Sequence, residues 1–189
     1  MEPVKGNTDQ PLGASRETLF LVTFQNQINL IQIADNKANI IISINAIIIS
    51  IIVSVTGLGA LSQSFEVSKR YILFPVTFII ITSLISVVFA IQAAKPKVTR
   101  PTVKAGNHAG DRNSLLFFAN ISNKNLEEYL IQMDKMLESN TSIRENMIID
   151  IFNQGKILSR KYALLNIAYQ IFMYGFIVSV LTFLVMLLI

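Results

Sequence analysis

Three stretches of this chain carry no charged residue: Ala38–Phe65, Tyr71–Ala94 and Tyr162–Ile189. Each exceeds the roughly 20 residues that an α-helix needs to cross a hydrocarbon core about 30 Å thick. A buried soluble helix rarely runs so long without a charge, so the spans are read as membrane-crossing near Ile40–Leu61, Ile72–Ala93 and Ile167–Ile189. Composition agrees. Of 189 residues, 52% are hydrophobic and 15% charged, and the mean hydropathy is +0.52. A disordered chain is excluded and an ordinary soluble enzyme disfavoured. The expected fold class is an all-α membrane protein with three transmembrane helices, of which helices one and three extend into a small helical cytosolic region.

The first span begins about forty residues into the chain, lacks a short basic lead, and is too long for the apolar part of a signal peptide. The expected organisation is a flexible tail over 1–14, a cytosolic helix continuing into the first span over 15–61, and an outer hairpin over 62–71. The second span follows over 72–93, then a cytosolic loop and helical region over 94–142, and a cytosolic helix continuing into the third span over 143–189. No internal repeat or low-complexity tract interrupts this order.

Orientation follows from counting basic residues. With three spans, the tail and the segment 95–161 share one side and hold 14 Lys and Arg, against 2 in the hairpin. The positive-inside rule then makes the 14-charge side cytoplasmic and the C-terminus outward, or periplasmic. The formal net charge of +4 reports topology on such a chain rather than nucleic-acid binding.

Outside the membrane the pattern remains helical. Ser15 is an expected N-cap, and Phe20, Phe24, Ile28, Ile31 and Ala38 recur at helical spacing after it. No Pro or Gly occurs from Ser15 through Thr56. Ser142-Ile143-Arg144-Glu145 and Asn125-Leu126-Glu127-Glu128 both fit a capping box. From the first of these, Ile148, Ile151, Gly155, Leu158, Tyr162, Leu165 and Tyr169 repeat at heptad spacing. Leu126, Tyr129, Leu130, Met133 and Leu137 form a second short stripe. The segment Lys95–Asn113, with Pro96, Pro101, Gly106 and Gly110, reads as a loop. The cytosolic part is close to the lower size limit for an independent core, so a homo-oligomer built on helices one and three is expected.

The possible chemistry is narrow. Cysteine is absent and His108 is the single histidine, which excludes disulfides and thiolate metal sites and leaves no spaced metal-ligand set. No phosphate loop, nucleophile elbow or paired-carboxylate motif is present, so no enzyme, metal or cofactor is expected. Asp35 lies one turn above the first span, with Lys37 beside it and Arg160 and Lys161 at similar height on helix three. Two readings stand. In one, Asp35 forms a structural ion pair across the helices, with Arg160 as partner. In the other, it accepts hydrogen bonds from a ligand whose phosphate is held by basic residues. Candidate anion contacts are Arg100, Arg112, Lys156, Arg160 and Lys161. Gly155 is unfavourable in a helix by about 1 kcal/mol against Ala, which points to close packing or a ligand there. Within the spans, Asn45, Gln92, Asn166 and Gln170 are the strongest polar side chains, the last two sharing a face at i and i+4.

Several of these segments resemble the transmembrane effectors of Pycsar anti-phage systems: Ala34-Asp35-Asn36-Lys37-Ala38, Arg100-Pro101, Leu115-Leu116-Phe117-Phe118-Ala119, Leu126-Glu127-Glu128-Tyr129-Leu130, and Asn153-Gln154-Gly155-Lys156-Ile157-Leu158-Ser159-Arg160-Lys161-Tyr162. The similarity covers about residues 16–189. It implies a bacterial inner-membrane protein linked to a pyrimidine cyclase, which makes cyclic CMP or cyclic UMP on infection. The effector would answer the nucleotide by oligomeric rearrangement and membrane impairment, ending in growth arrest or abortive infection. The resemblance makes Asp35, Lys37, Arg100, the Leu115–Ala119 run, Asn153, Lys156, Arg160 and Lys161 candidate ligand or gating positions. Arg112 joins the ligand set on its chemistry. Gly155, Tyr162, Asn166 and Gln170 are candidate gating or packing positions. The competing reading is a non-conducting membrane anchor or scaffold for a cytosolic partner.

Overall fold

A computed structural model of the chain describes residues 12–61, 69–95, 115–116, 121 and 124–188. Among these there is no strand. Four long helices carry the fold: α1 (Leu12–Leu61), α2 (Lys69–Ala94), α3 (Leu126–Leu137) and α4 (Asn140–Leu188). Three of them, α1, α2 and α4, are long and apolar enough to cross a membrane, as the charge-free stretches require.

The helix ends differ from the sequence reading in informative ways. α1 already begins at Leu12, so Ser15 lies inside its first turn rather than at an N-cap, and Leu12–Ala14 belong to the helix instead of the tail. α2 begins at Lys69, which removes residues 69–71 from the expected hairpin. Residues 1–11 and 62–68, the rest of the tail and hairpin, lie outside the described residues. α4 begins at Asn140. The backbone N–H of Ser142 donates to Ser139 Oγ at 3.5 Å, and that of Ile143 to the Ser139 carbonyl at 3.1 Å. Ser139 therefore caps the helix, and the expected capping residue Ser142 sits at its third position. Asn125 does precede α3, but its side chain makes no capping bond; Glu127 and Glu128 in the first turn and Lys135 in the last complement the helix dipole.

The chain divides into two compact units. One comprises Met1–Leu30 and Lys97–Ile157, the other Ile31–Pro96 and Leu158–Ile189. α1 and α4 contribute residues to both. In the first unit, α3 turns Met136 inward and leaves Leu126, Leu130 and Leu137 exposed. Its buried side is thus one position away from the stripe expected from sequence. Leu115, at the start of the Leu115–Ala119 run, is tied to α4: its backbone N–H donates to Asn146 Oδ1 at 3.0 Å, and Asn146 Nδ2 donates to the Ser142 carbonyl at 2.9 Å.

The second unit holds the three spans. Its core is Ala38, Ile41, Ala90, Ala93, Leu165 and Ala168, all nearly inaccessible. Small residues dominate because lipid tails are as apolar as leucine. Helices in a bilayer therefore associate through close van der Waals contact and hydrogen bonds, not through escape from water. The contacts confirm that closeness. Ser86 Oγ donates to the Ala168 carbonyl at 2.9 Å, and Ser179 Oγ to the Pro75 carbonyl at 3.0 Å. Between these two ties Gly175 faces Thr82, and a Cβ added there would stand 2.6 Å from Thr82 Cβ. Elsewhere Ser54, Thr56, Thr82 and Thr182 donate to carbonyls one turn back in their own helices, which satisfies hydroxyls where water is absent.

Gly175→Ala must force α2 and α4 apart, a cost of about 1–3 kcal/mol by the usual penalty for overpacking. Gly57→Ala, with nothing within 4 Å of the added carbon, is the matched control and is expected to be neutral or slightly stabilising. Thermal unfolding in mild detergent, followed by helical circular dichroism, reads the difference.

Candidate functional site

Two groups of polar side chains stand out, one in each unit. In the second, Asp35 on α1 pairs with Lys161 on α4. The Lys161 side chain is only 13% exposed and that of Asp35 37%. Lys37 lies over the Tyr162 ring, 5.9 Å from its centroid, a cation–π contact. The ion pair expected from sequence therefore exists, with a different partner: Lys161 takes the place assigned to Arg160. One residue along an α-helix rotates a side chain by 100°, and Arg160 is left exposed. Just beyond the pair, Ala34 and Ala38 are buried and let the helix backbones approach. Asp35 and Lys161 thus close one end of the small-residue core.

The first unit contains the more unusual group. Asp150 and Asn153, three residues apart on α4, are 5% and 2% exposed. Asp150 Oδ1 and both amide atoms of Asn153 lack a hydrogen-bond partner, as do Gln154 Oε1 and Gln27 Oε1. Gln154 Nε2 donates to Asp150 Oδ2 at 3.3 Å. Gln27 on α1 lies against Gly155, its Nε2 3.6 Å from where a Cβ would stand, so the glycine admits the glutamine amide beside the helix. Burial pushes the Asp150 carboxyl above its ordinary value of 3.8, and the Gln154 bond opposes that shift. Buried polar atoms without partners are expensive, typically about 1–3 kcal/mol each, and five such atoms, four on neighbouring turns of α4 and one on α1, mark a place equipped to hydrogen-bond something else.

Of the candidate ligand residues, Asn153 falls in this buried group and Lys156 beside it, exposed, with its ammonium 4.5 Å from the Phe152 ring centroid. Asp35, Lys37 and Lys161 gather in the other unit with Tyr162. Arg100 and Arg112 lie outside the described residues, as do His108 and Phe117–Ala119. Asn166 and Gln170 are exposed on α4. Gln92 is exposed as well, whereas Asn45 is buried, as are Ser83, Ser86 and Ser179. Asn45 Nδ2 donates to the Ile41 carbonyl of its own helix at 2.9 Å. Sequence reasoning passed over Asp150, Gln27 and Gln154. The available signal was the i, i+3 spacing of Asp150 and Asn153, which was hidden by the stronger apolar repeat through Ile148 and Ile151.

Two outcomes follow. Asp35→Ala leaves Lys161 largely buried without its partner and is expected to cost about 1–2 kcal/mol, between an exposed and a fully buried pair. The swap Asp35→Lys with Lys161→Asp should recover part of that loss, as thermal unfolding of the single and double variants will read. For Asp150, folding favours the protonated form. Its contribution to stability is therefore present below pH 3.8 and is lost as pH rises from there through the raised native value. Asp150→Asn should flatten this limb of a pH series of unfolding midpoints.

No curated protein and no solved structure matches the chain. A family model does: that of the Pycsar effector protein domain, over residues 19–189. With three membrane-crossing helices and a match over nearly its whole length, this chain belongs to the Pycsar effector protein domain family and is a multi-pass membrane protein with an anti-phage effector role.

Proposed function

We propose that the protein itself senses a cyclic pyrimidine mononucleotide, cyclic CMP or cyclic UMP, and answers by a rearrangement of its oligomer that impairs the membrane. In this reading it sits in the bacterial inner membrane with the N-terminus cytoplasmic and the C-terminus periplasmic, and a pyrimidine cyclase supplies the ligand. The end point is growth arrest or abortive infection. The chain acts as an effector without catalysis of its own.

The observation that supports a ligand is the set of unpartnered buried atoms on Asp150, Asn153, Gln154 and Gln27. Amides and a carboxyl together offer donors and acceptors, which is what the hydrogen-bonding edge of a pyrimidine requires. Lys156 is a near, exposed positive charge suited to the cyclic phosphate. Asp35 and Lys161 are better assigned to structure, since each already satisfies the other. The response is carried by α1 and α4. Each is one helix with residues in both units, so an ordering of side chains around Asn153 acts on the same helices that cross the membrane.

The test is membrane potential in cells or proteoliposomes holding the full chain, with and without added cyclic CMP and cyclic UMP. Depolarisation by one or both is expected, and Asn153→Ala should raise the nucleotide concentration needed by about 10- to 150-fold, the loss of hydrogen bonds worth roughly 1.5–3 kcal/mol. Insertion should be unaffected because no span is altered. A potential indifferent to both nucleotides would refute the reading and favour a non-conducting anchor or scaffold.

A further inference from the structure

The depth of α4 in the membrane can be read from α2. The charges of Arg70 and Lys95 bracket α2 in sequence, about 37 Å apart at 1.5 Å per residue, so the centre of the bilayer falls near Thr82 and Ser83. Three contacts register α4 against this scale: Ser86 with Ala168, Thr82 with Gly175, and Pro75 with Ser179. They fix Gly175 close to the midplane. Tyr174 then lies beside the midplane, Gln170 about 7 Å from it, and Asn166 about 13 Å from it, all within the roughly 15 Å half-thickness of hydrocarbon.

These three side chains share one face of α4. They follow one another at i, i+4 and i+8, opposite the face formed by Leu165, Ala168, Gly175 and Ser179, which is buried against the rest of the unit. All three are exposed, Tyr174 by 61%, and none makes a side-chain hydrogen bond among the described residues. Two amides and a phenol turned toward hydrocarbon with no partner are unfavourable, since lipid tails offer neither donor nor acceptor.

We propose that this face is the seam between copies of the chain in the membrane, with Asn166 and Gln170 hydrogen-bonding across it to the same residues of a second copy. Asparagine and glutamine each carry a donor and an acceptor, so each complements itself. Every copy inserts with the same orientation. A second copy related by rotation about the membrane normal therefore brings its own Asn166, Gln170 and Tyr174 to the same depths with no further adjustment. A different protein would need matching polar groups at three fixed heights. The seam deepens the self-association contained in the proposed function and owes nothing to the nucleotide.

The chain has no cysteine, so single-cysteine variants report without background. Gln170→Cys, Tyr174→Cys and Phe176→Cys are made in the full chain and treated in native membranes with a membrane-permeant oxidant, nucleotide absent. Phe176 is also exposed, but it points about 120° away from Gln170 and about 160° away from Tyr174 around the helix. Dimer-sized crosslinks are expected at Gln170→Cys and Tyr174→Cys, at least about ten times those at Phe176→Cys. Equal crosslinking at all three, or none, would overturn the proposal and leave lipid on this face; adducts with the mass of another protein would overturn it in favour of a foreign partner. The double variant Asn166→Leu with Gln170→Leu still inserts and should weaken association in nanodiscs by about three- to thirty-fold per amide. Unchanged association would also contradict the seam. Because no nucleotide is present, failure here is distinct from failure of the nucleotide response.

Discussion

Close approach between the spans is the constraint on which the rest of this structure depends. In water, a helix with this much isoleucine would be pressed into place by its apolar surface. In a bilayer that force is absent between helices, and what remains is contact distance and hydrogen bonding. Ala38, Ala90, Ala93 and Ala168 provide the first, and the Ser86–Ala168 and Ser179–Pro75 bonds the second. Large side chains such as Ile40, Ile47 and Leu181 are turned outward to the lipid. The same logic explains why one glycine, Gly175, sits where a methyl group has no room.

That inversion of the usual rule also explains what was legible in the sequence. The three spans and the all-helical class follow directly from runs without charge, and the continuous helices follow from the lack of Pro and Gly across Ser15–Thr56. Which face of each helix is buried does not follow from hydrophobicity. Of the apolar stripe through Phe20, Phe24, Ile28, Ile31 and Ala38, only Ala38 is fully buried, and α1 buries Ile41, the small Ala34 and the polar Asn45 beside it. In lipid, size selects the packed face, and a repeat of small residues was the signal to weigh. Likewise, the position of Asp35 identified a charged contact at the end of the core, while the choice of Lys161 over Arg160 depended on a rotation that sequence spacing alone resolves only once the buried face is known.

The polar groups divide by whether they have partners. Asp35 and Lys161 satisfy each other, and Ser86 and Ser179 find carbonyls on a neighbouring helix. Asp150, Asn153, Gln154 and Gln27 are buried with atoms unpaired, and Asn166 and Gln170 are unpaired in the hydrocarbon. A marginally stable fold retains such costs only where something repays them. The first group points to a bound molecule and the second to another copy of the chain. Gln27 apart, which is on α1, both groups lie on α4, which gives ligand and assembly a common helix through which to act.

The central claim is that the chain recognises the nucleotide directly, through polar groups it has already buried. Equilibrium binding of cyclic CMP and cyclic UMP to the purified full-length protein in nanodiscs, with no other protein present, tests it most directly. The account predicts saturable binding of at least one of them, weakened by Asn153→Ala and retained in the Asp35→Lys, Lys161→Asp double swap. Absence of binding by the isolated chain, with depolarisation appearing only when a second protein is restored, would contradict it.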